Sequence, residues 1–140
     1  MEQTSGRAGT MREILFRGKV KYGEHAGEWI YGQFLLANNE TPIMHISVDD
    51  GSHPYGCNVV DLETVGQFTG LYDKNGTRIF EGDIVKYGDT IHQVVFEQRN
   101  NTAYFGLVYS TIETLPFGHY QDLRQIEVIG NIHDNPDLLE

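Results

Sequence analysis

The chain has 140 residues, 39% of them hydrophobic, and its 20 acidic side chains outnumber 10 basic ones to give a formal charge of −10. That is one domain's worth of chain, and its charge opposes broad contact with a phosphate backbone while favouring protein partners or basic ones. No run approaches about 18 apolar residues, which excludes a membrane-spanning helix, and the single cysteine, Cys57, excludes an intrachain disulfide and fits a reducing cytoplasm. Sixteen glycines against four prolines suit short strands joined by turns better than a helical bundle.

Residues 1–10 lack the apolar stretch of a signal peptide and read as a disordered extension ahead of a single domain over 11–140. Residues 11–22 alternate. Ile14, Phe16 and Val20 share one face; Glu13, Arg17, Lys19 and Lys21 share the other. Period two predicts a half-buried strand with a basic outer face. Arg17, Lys19 and Lys21 would then meet phosphate or an acidic partner, or guard a sheet edge against pairing.

A loop follows, then a strand over 28–36 with Trp29 and Tyr31 on one face and Ile30 and Phe34 on the other. If Ile30 faces the core, Trp29 and Tyr31 are partly exposed. They would stack bases, or pack under a loop or at a subunit interface. Residues 37–42 form a polar turn. Residues 43–48 form a short strand with Met44, Ile46 and Val48 on one face and His45 on the other.

Residues 49–58, DDGSHPYGCN, are the loop richest in chemistry. His53 and Cys57 stand four apart, with Asp49 and Asp50 ahead of them. Two zinc ligands could come from such a pair, but a structural zinc site needs a second pair, and none exists. Ordinary loop residues account for the pattern better. Within 59–65, residues 61–64 carry the signal of a single helical turn.

The chain is organised around residues 64–86, TVGQFTGLYDKNGTRIFEGDIVK. Apolar residues flank Asp73-Lys74-Asn75-Gly76, where Asp and Asn bond nearby backbone and Gly76 accepts positive φ. This predicts a hairpin. Gly82 breaks the second strand, Asp83 clasps the turn, and Ile84 and Val85 open the next strand.

Residues 91–97 are predicted to pair back on 84–87. Residues 98–102 turn, and 103–109 form a strand apolar on both faces, central or interfacial. Residues 110–125 are the least regular, with Pro116 breaking any helix. Residues 126–132 form the last strand, with Gly130 at a bulge or close backbone approach. Asn135 and Pro136 then start one helical turn, with Leu138 and Leu139 directed inward.

The 64–86 block resembles the core signature of the YopX family of phage and prophage proteins. MREILFRGK near the start and EVIGNIHDNPDLLE at the end are similar to that family's ends. The resemblance runs over 11–140. It implies a mostly β fold and an origin in a mobile element, and it brings no catalytic residue. Residues 23–60 and 88–125 match no block and are open to protein-specific function.

The expected fold is therefore mainly β: one domain of seven to nine strands, as a partly open barrel or barrel-like sheet with a short C-terminal helical turn. No cofactor or metal is indicated, and no phosphate loop or nucleophile elbow is present. Three functions stay open. The first is a non-enzymatic accessory module, cytoplasmic in a host cell, that binds a host or phage protein, with homo-oligomerisation through the apolar strand 103–109 also open. The second is a nucleic-acid module using Arg17, Lys19, Lys21, Trp29 and Tyr31. The third is a metal-assisted enzyme built on Asp49, Asp50, His53 and Cys57, or on Glu81 and Asp83.

Overall fold

The computed structural model describes residues 12–48, 56–99, 101–111, 113–117 and 121–140. The expected extension at 1–10 and the loop residues Asp49, Asp50, His53 and Tyr55 lie outside them. Among the described residues, ten strands follow in order. They are β1 Phe16–Val20, β2 Trp29–Leu36, β3 Pro42–Val48, β4 Cys57–Tyr72, β5 Arg78–Phe80, β6 Asp83–Tyr87, β7 Thr90–Arg99, β8 Thr102–Ser110, β9 Glu113–Pro116 and β10 Ile126–Asn131. Single 3-10 turns occupy Asn38–Glu40, Leu123–Gln125 and Pro136–Leu139.

The strands form two sheets. One runs β1-β2-β3-β4-β5, and β4 also pairs back on β1, so four strands make a partial ring. The other runs β10-β6-β7-β8-β9. Every pairing is antiparallel. The expectation of a mainly β fold with a C-terminal helical turn holds; the described strands number ten rather than seven to nine and lie in two sheets, of which one is partly ringed.

β4 makes this possible by its length of 16 residues. Its first part closes the ring against β3 and β1, and its last part forms the hairpin with β5. Arg17 faces Gly66 while Lys19 faces Asp61, so residues 62–65 of β4 stand opposite Gly18 alone. The helical turn expected at 61–64 is in fact this bulge. It is held by the Thr64 hydroxyl donating to the Asp61 carbonyl at 2.7 Å. A bulge sharpens the local twist, which a ring of four strands requires.

Three apolar clusters follow. Val20, Ile30, Met44, Ile46 and Val60 fill the ring. Ile79, Val85, Val94, Leu107 and Ile126 pack the hairpin tip onto the second sheet. Leu15, Phe68 and Phe80 lie at the seam between them, with Tyr31 against them. Fully burying each large aliphatic side chain contributes about 1.5–3 kcal/mol.

The predicted hairpins at 73–76 and 88–89 form as expected. Residues 113–116 do not stay irregular: they pair with β8 as an edge strand ending at Pro116, where proline's missing N–H costs no ladder bond. Gly130 lies at a register shift in β10, as expected, and a Cβ there would stand 2.6 Å from Asn135 Oδ1. Leu139 is exposed rather than turned inward.

Candidate binding cleft at the sheet seam

β1 carries the largest correction. It is not an edge strand, because it pairs with β2 on one side and β4 on the other. Its two faces are both covered. Phe16 and Val20 face the ring, while on the other face Leu15 packs on Phe68 and Phe80 of the hairpin and Arg17 reaches Asp83 of the second sheet. Arg17 is therefore not on a basic outer face: its side chain is 8% exposed. The sequence signal for this was Leu15, an apolar residue of the same parity as Arg17.

Arg17 Nη2 lies 2.8 Å from Asp83 Oδ1. The guanidinium carbon stands 4.7 Å from the Trp29 ring centroid and 4.9 Å from that of Phe80. Asp83 arrives there because Gly82, at φ +94°, turns the chain out of β5. Its other oxygen accepts from the Phe80 N–H at 2.7 Å, the clasp that the sequence predicts. Burial pushes the Asp83 carboxyl above its ordinary range, and the Arg17 charge and the Phe80 N–H pull it back only in part. Glu81 and Asp83 do not converge, since Glu81 turns to the Gln67 N–H at 3.4 Å.

Two residues along, Lys19 pairs with Asp134. Trp29 Nε1 donates to the same carboxylate at 2.8 Å. These bonds hold the Asp134 carboxyl down at about 2. The His133 ring lies tilted against Trp29 with centroids 5.9 Å apart, and burial, then Arg17 and Lys19, lower its pKa. Arg17, Lys19 and Trp29 are thus engaged by partners within the fold. Tyr31 packs on Phe80 at 5.6 Å, and only Lys21 of the five expected surface residues is fully outward, over the ring of Tyr22.

Asp73 ties the turn to the second sheet. Its Oδ1 accepts from the N–H groups of Asn75 and Thr77 at 2.8 and 2.9 Å, and its Oδ2 accepts from the Val128 N–H at 2.9 Å. Burial raises its pKa, but these backbone donors outweigh that, and the net shift is downward.

These elements enclose a cleft of about 370 Å³. Leu15, Arg17 and Tyr31 line one side; Thr77, Arg78 and Phe80 of the hairpin, with Asp83 and Val128, line the other. At its rim, Arg78 Nη2 donates to both Glu13 carboxylate oxygens at 3.0 and 3.1 Å, and Nε donates to Oε1 at 3.3 Å. Arg78 also spans the rings of Phe68 and Tyr72 at 5.5 and 5.8 Å. Among the described residues, Arg17 Nε finds no hydrogen-bond acceptor, and Nη2 is close to Asp83 but not aligned to donate to it. Sequence reasoning did not single out Arg78, since a lone arginine beyond a turn carries no pattern.

The other candidates do not assemble with the cleft. Cys57 is exposed at the start of β4, opposite His45, and His53 lies outside the described residues. Among the described residues, no three His, Cys, Asp or Glu side chains gather as a metal site. His92, unremarked in the sequence, is buried between Thr90 Oγ1 at 2.8 Å and the Val108 carbonyl at 2.9 Å. Among the described residues, no helix is long and apolar enough to cross a membrane.

The crystal structure of protein EF1440 from Enterococcus faecalis is similar, with 24% identity over 93% of this chain and 100% of that one, and a TM-score of 0.51. At that identity the likeness shows the fold. No curated protein matches. The family described as YopX protein matches residues 15–140, nearly the whole chain. The ordered blocks at its two ends and at the hairpin thus have one explanation: the chain belongs to the YopX family.

Proposed function

We propose that this protein is a non-enzymatic interaction module, an accessory protein of a phage or prophage acting in the host cytoplasm, and that it docks a protein partner at the seam cleft. One observation carries this reading: the cleft joins apolar walls to Arg78, whose guanidinium stands 5.8 Å from the ring of Tyr72, a neighbour outside the cleft that is 45% exposed. Tyrosine and arginine are the residue types that dominate binding energy at interfaces, and a concave apolar centre supplies the desolvated pocket they need. The acidic chain favours such a partner over nucleic acid. Arg17, Lys19 and Trp29, the residues that would have read a phosphate strand, are already paired or stacked within the fold.

The test is a nuclease-treated capture from host lysate with wild-type protein and with Tyr72→Ala. The expected result is a protein that survives nuclease and is lost at least tenfold with the variant. Capture that is unchanged in the variant, or that disappears with nuclease, overturns the reading.

A further inference from the structure

We propose that the seam cleft takes a carboxylate borne on an apolar group. The proposal rests on the cleft being the docking point, and it adds the chemistry of what enters.

The first observation is Arg17. A guanidinium has five N–H donors and no acceptor, and a buried donor without a partner is costly. The Arg17 side chain is 92% buried and lines the cleft, yet Nε has no acceptor among the described residues. Asp83 takes one position beside Nη2 without a hydrogen-bonding alignment. Nε and Nη2 form the edge of the guanidinium that presents two parallel donors, the shape that matches a carboxylate.

The second observation is at the rim. Arg78 already holds a carboxylate, that of Glu13, through Nε and Nη2. Both partners are substantially exposed, Arg78 at 38% and Glu13 at 43%. Such a pair is weakly held and exchangeable. An incoming carboxylate would displace Glu13 from Arg78 as it enters, then meet the Arg17 edge.

The walls decide the rest of the ligand. Leu15, Tyr31, Phe80 and Val128 offer apolar surface, which suits an aromatic or aliphatic body. Charge favours a monoanion. Asp83 lies beside Arg17 on the floor, so a phosphate dianion would meet repulsion that a single carboxylate meets only half as strongly.

The experiment is a titration of ¹⁵N-labelled protein followed at the arginine Nε–H resonances. Sodium benzoate and the dipeptide N-acetyl-Ala-Phe with a free C-terminus are the carboxylate probes. The same dipeptide as its amide, inorganic phosphate and sodium chloride at matched ionic strength are the comparisons. The expected result is saturable movement of the Arg17 and Arg78 resonances with benzoate or the free-acid dipeptide, and none with the amide or chloride. Tighter binding of the dipeptide identifies a residue of a partner chain as the source; tighter binding of benzoate identifies a free small molecule. Arg78→Gln should weaken the carboxylate about tenfold, the size of one charge-assisted contact. Glu13→Gln should strengthen it about threefold by removing the competitor. Equal movement with chloride, tighter binding of phosphate than of either carboxylate, or no effect of both variants overturns the proposal. These outcomes are independent of lysate capture: a partner retained through Tyr72 with no carboxylate response sinks this inference alone, and the converse sinks only the partner reading.

Discussion

Two ion pairs leave the same strand two residues apart and behave in opposite ways. Arg17–Asp83 is buried at the base of the seam cleft, with side chains 8% and 2% exposed; Lys19–Asp134 is nearer to water, with side chains 23% and 37% exposed. Burial raises the Asp83 carboxyl even beside an arginine, while hydrogen bonds from Lys19 and Trp29 hold Asp134 at about 2. The lesson is that the environment and not the charge pairing sets the sign. Desolvation penalises a carboxylate more than one imperfectly aligned guanidinium restores, whereas a water-facing carboxylate keeps its solvation and gains donors as well.

Removing Asp83 should show the largest effect. Asp83→Ala leaves a buried guanidinium without a counter-charge and frees the Phe80 N–H. A loss of about 3–5 kcal/mol is expected in urea unfolding. The double variant Arg17→Met with Asp83→Leu should lose less than Asp83→Ala alone, since a pair removed together leaves no orphan charge. A larger loss in the double variant would show that the pair is net stabilising.

Next is Asp73, which lies outside both pairs yet holds the hairpin to β10. Asp73→Ala forfeits three N–H bonds to a carboxylate, and about 2–3 kcal/mol is expected, because the turn donors regain water. Thermal unfolding checks it. A loss under about 1 kcal/mol would mean that the apolar hairpin tip alone fixes the sheets together.

The pH response sharpens the comparison further. The folded Asp134 carboxyl titrates at about 2, below the unfolded value of about 3.9. Its contribution is therefore fully present above about pH 4 and is lost as pH falls toward 2. Asp83 runs the other way. Its folded pKa lies above the unfolded one, so its charged form opposes folding and protonation on acidification relieves that cost. Carbon-detected NMR titration of the two carboxyls should show Asp83 protonating first as pH falls, and the reverse order would break the comparison.

The smallest effect belongs to Asp134→Asn. This pair faces water at a carboxylate that is 37% exposed, so a loss under about 1 kcal/mol is expected. Lowering pH from 4 to 2 should then destabilise the variant less than the parent protein.

The local signals in the sequence were legible. The Asp-Lys-Asn-Gly turn, the Gly82–Asp83 clasp and the close approach at Gly130 each rest on residues within a few positions of one another, so short-range chemistry specifies them. Alternation correctly gave the strands β1, β2 and β3. It failed at β1 in one respect, because period two says which residues share a face but not whether the second face is wet. The unexpected strand β9 is similar: residues 113–116 pair because β8 already offers an edge.

By itself, then, the sequence determined turn positions, strand parity, the mainly β class and the family likeness, all of which depend on neighbouring side chains or on ordered blocks. Only the tertiary structure decided that Arg17 would be buried against Asp83, that Asp134 would claim Lys19 and Trp29, and that Arg78 would reach the same cleft. Those partners lie 66, 115, 105 and 61 residues apart in the chain, and no periodicity spans such distances. They meet because β4 closes a ring on β1 and then carries its hairpin across to a second sheet, which covers a face that the alternation of β1 had marked as open.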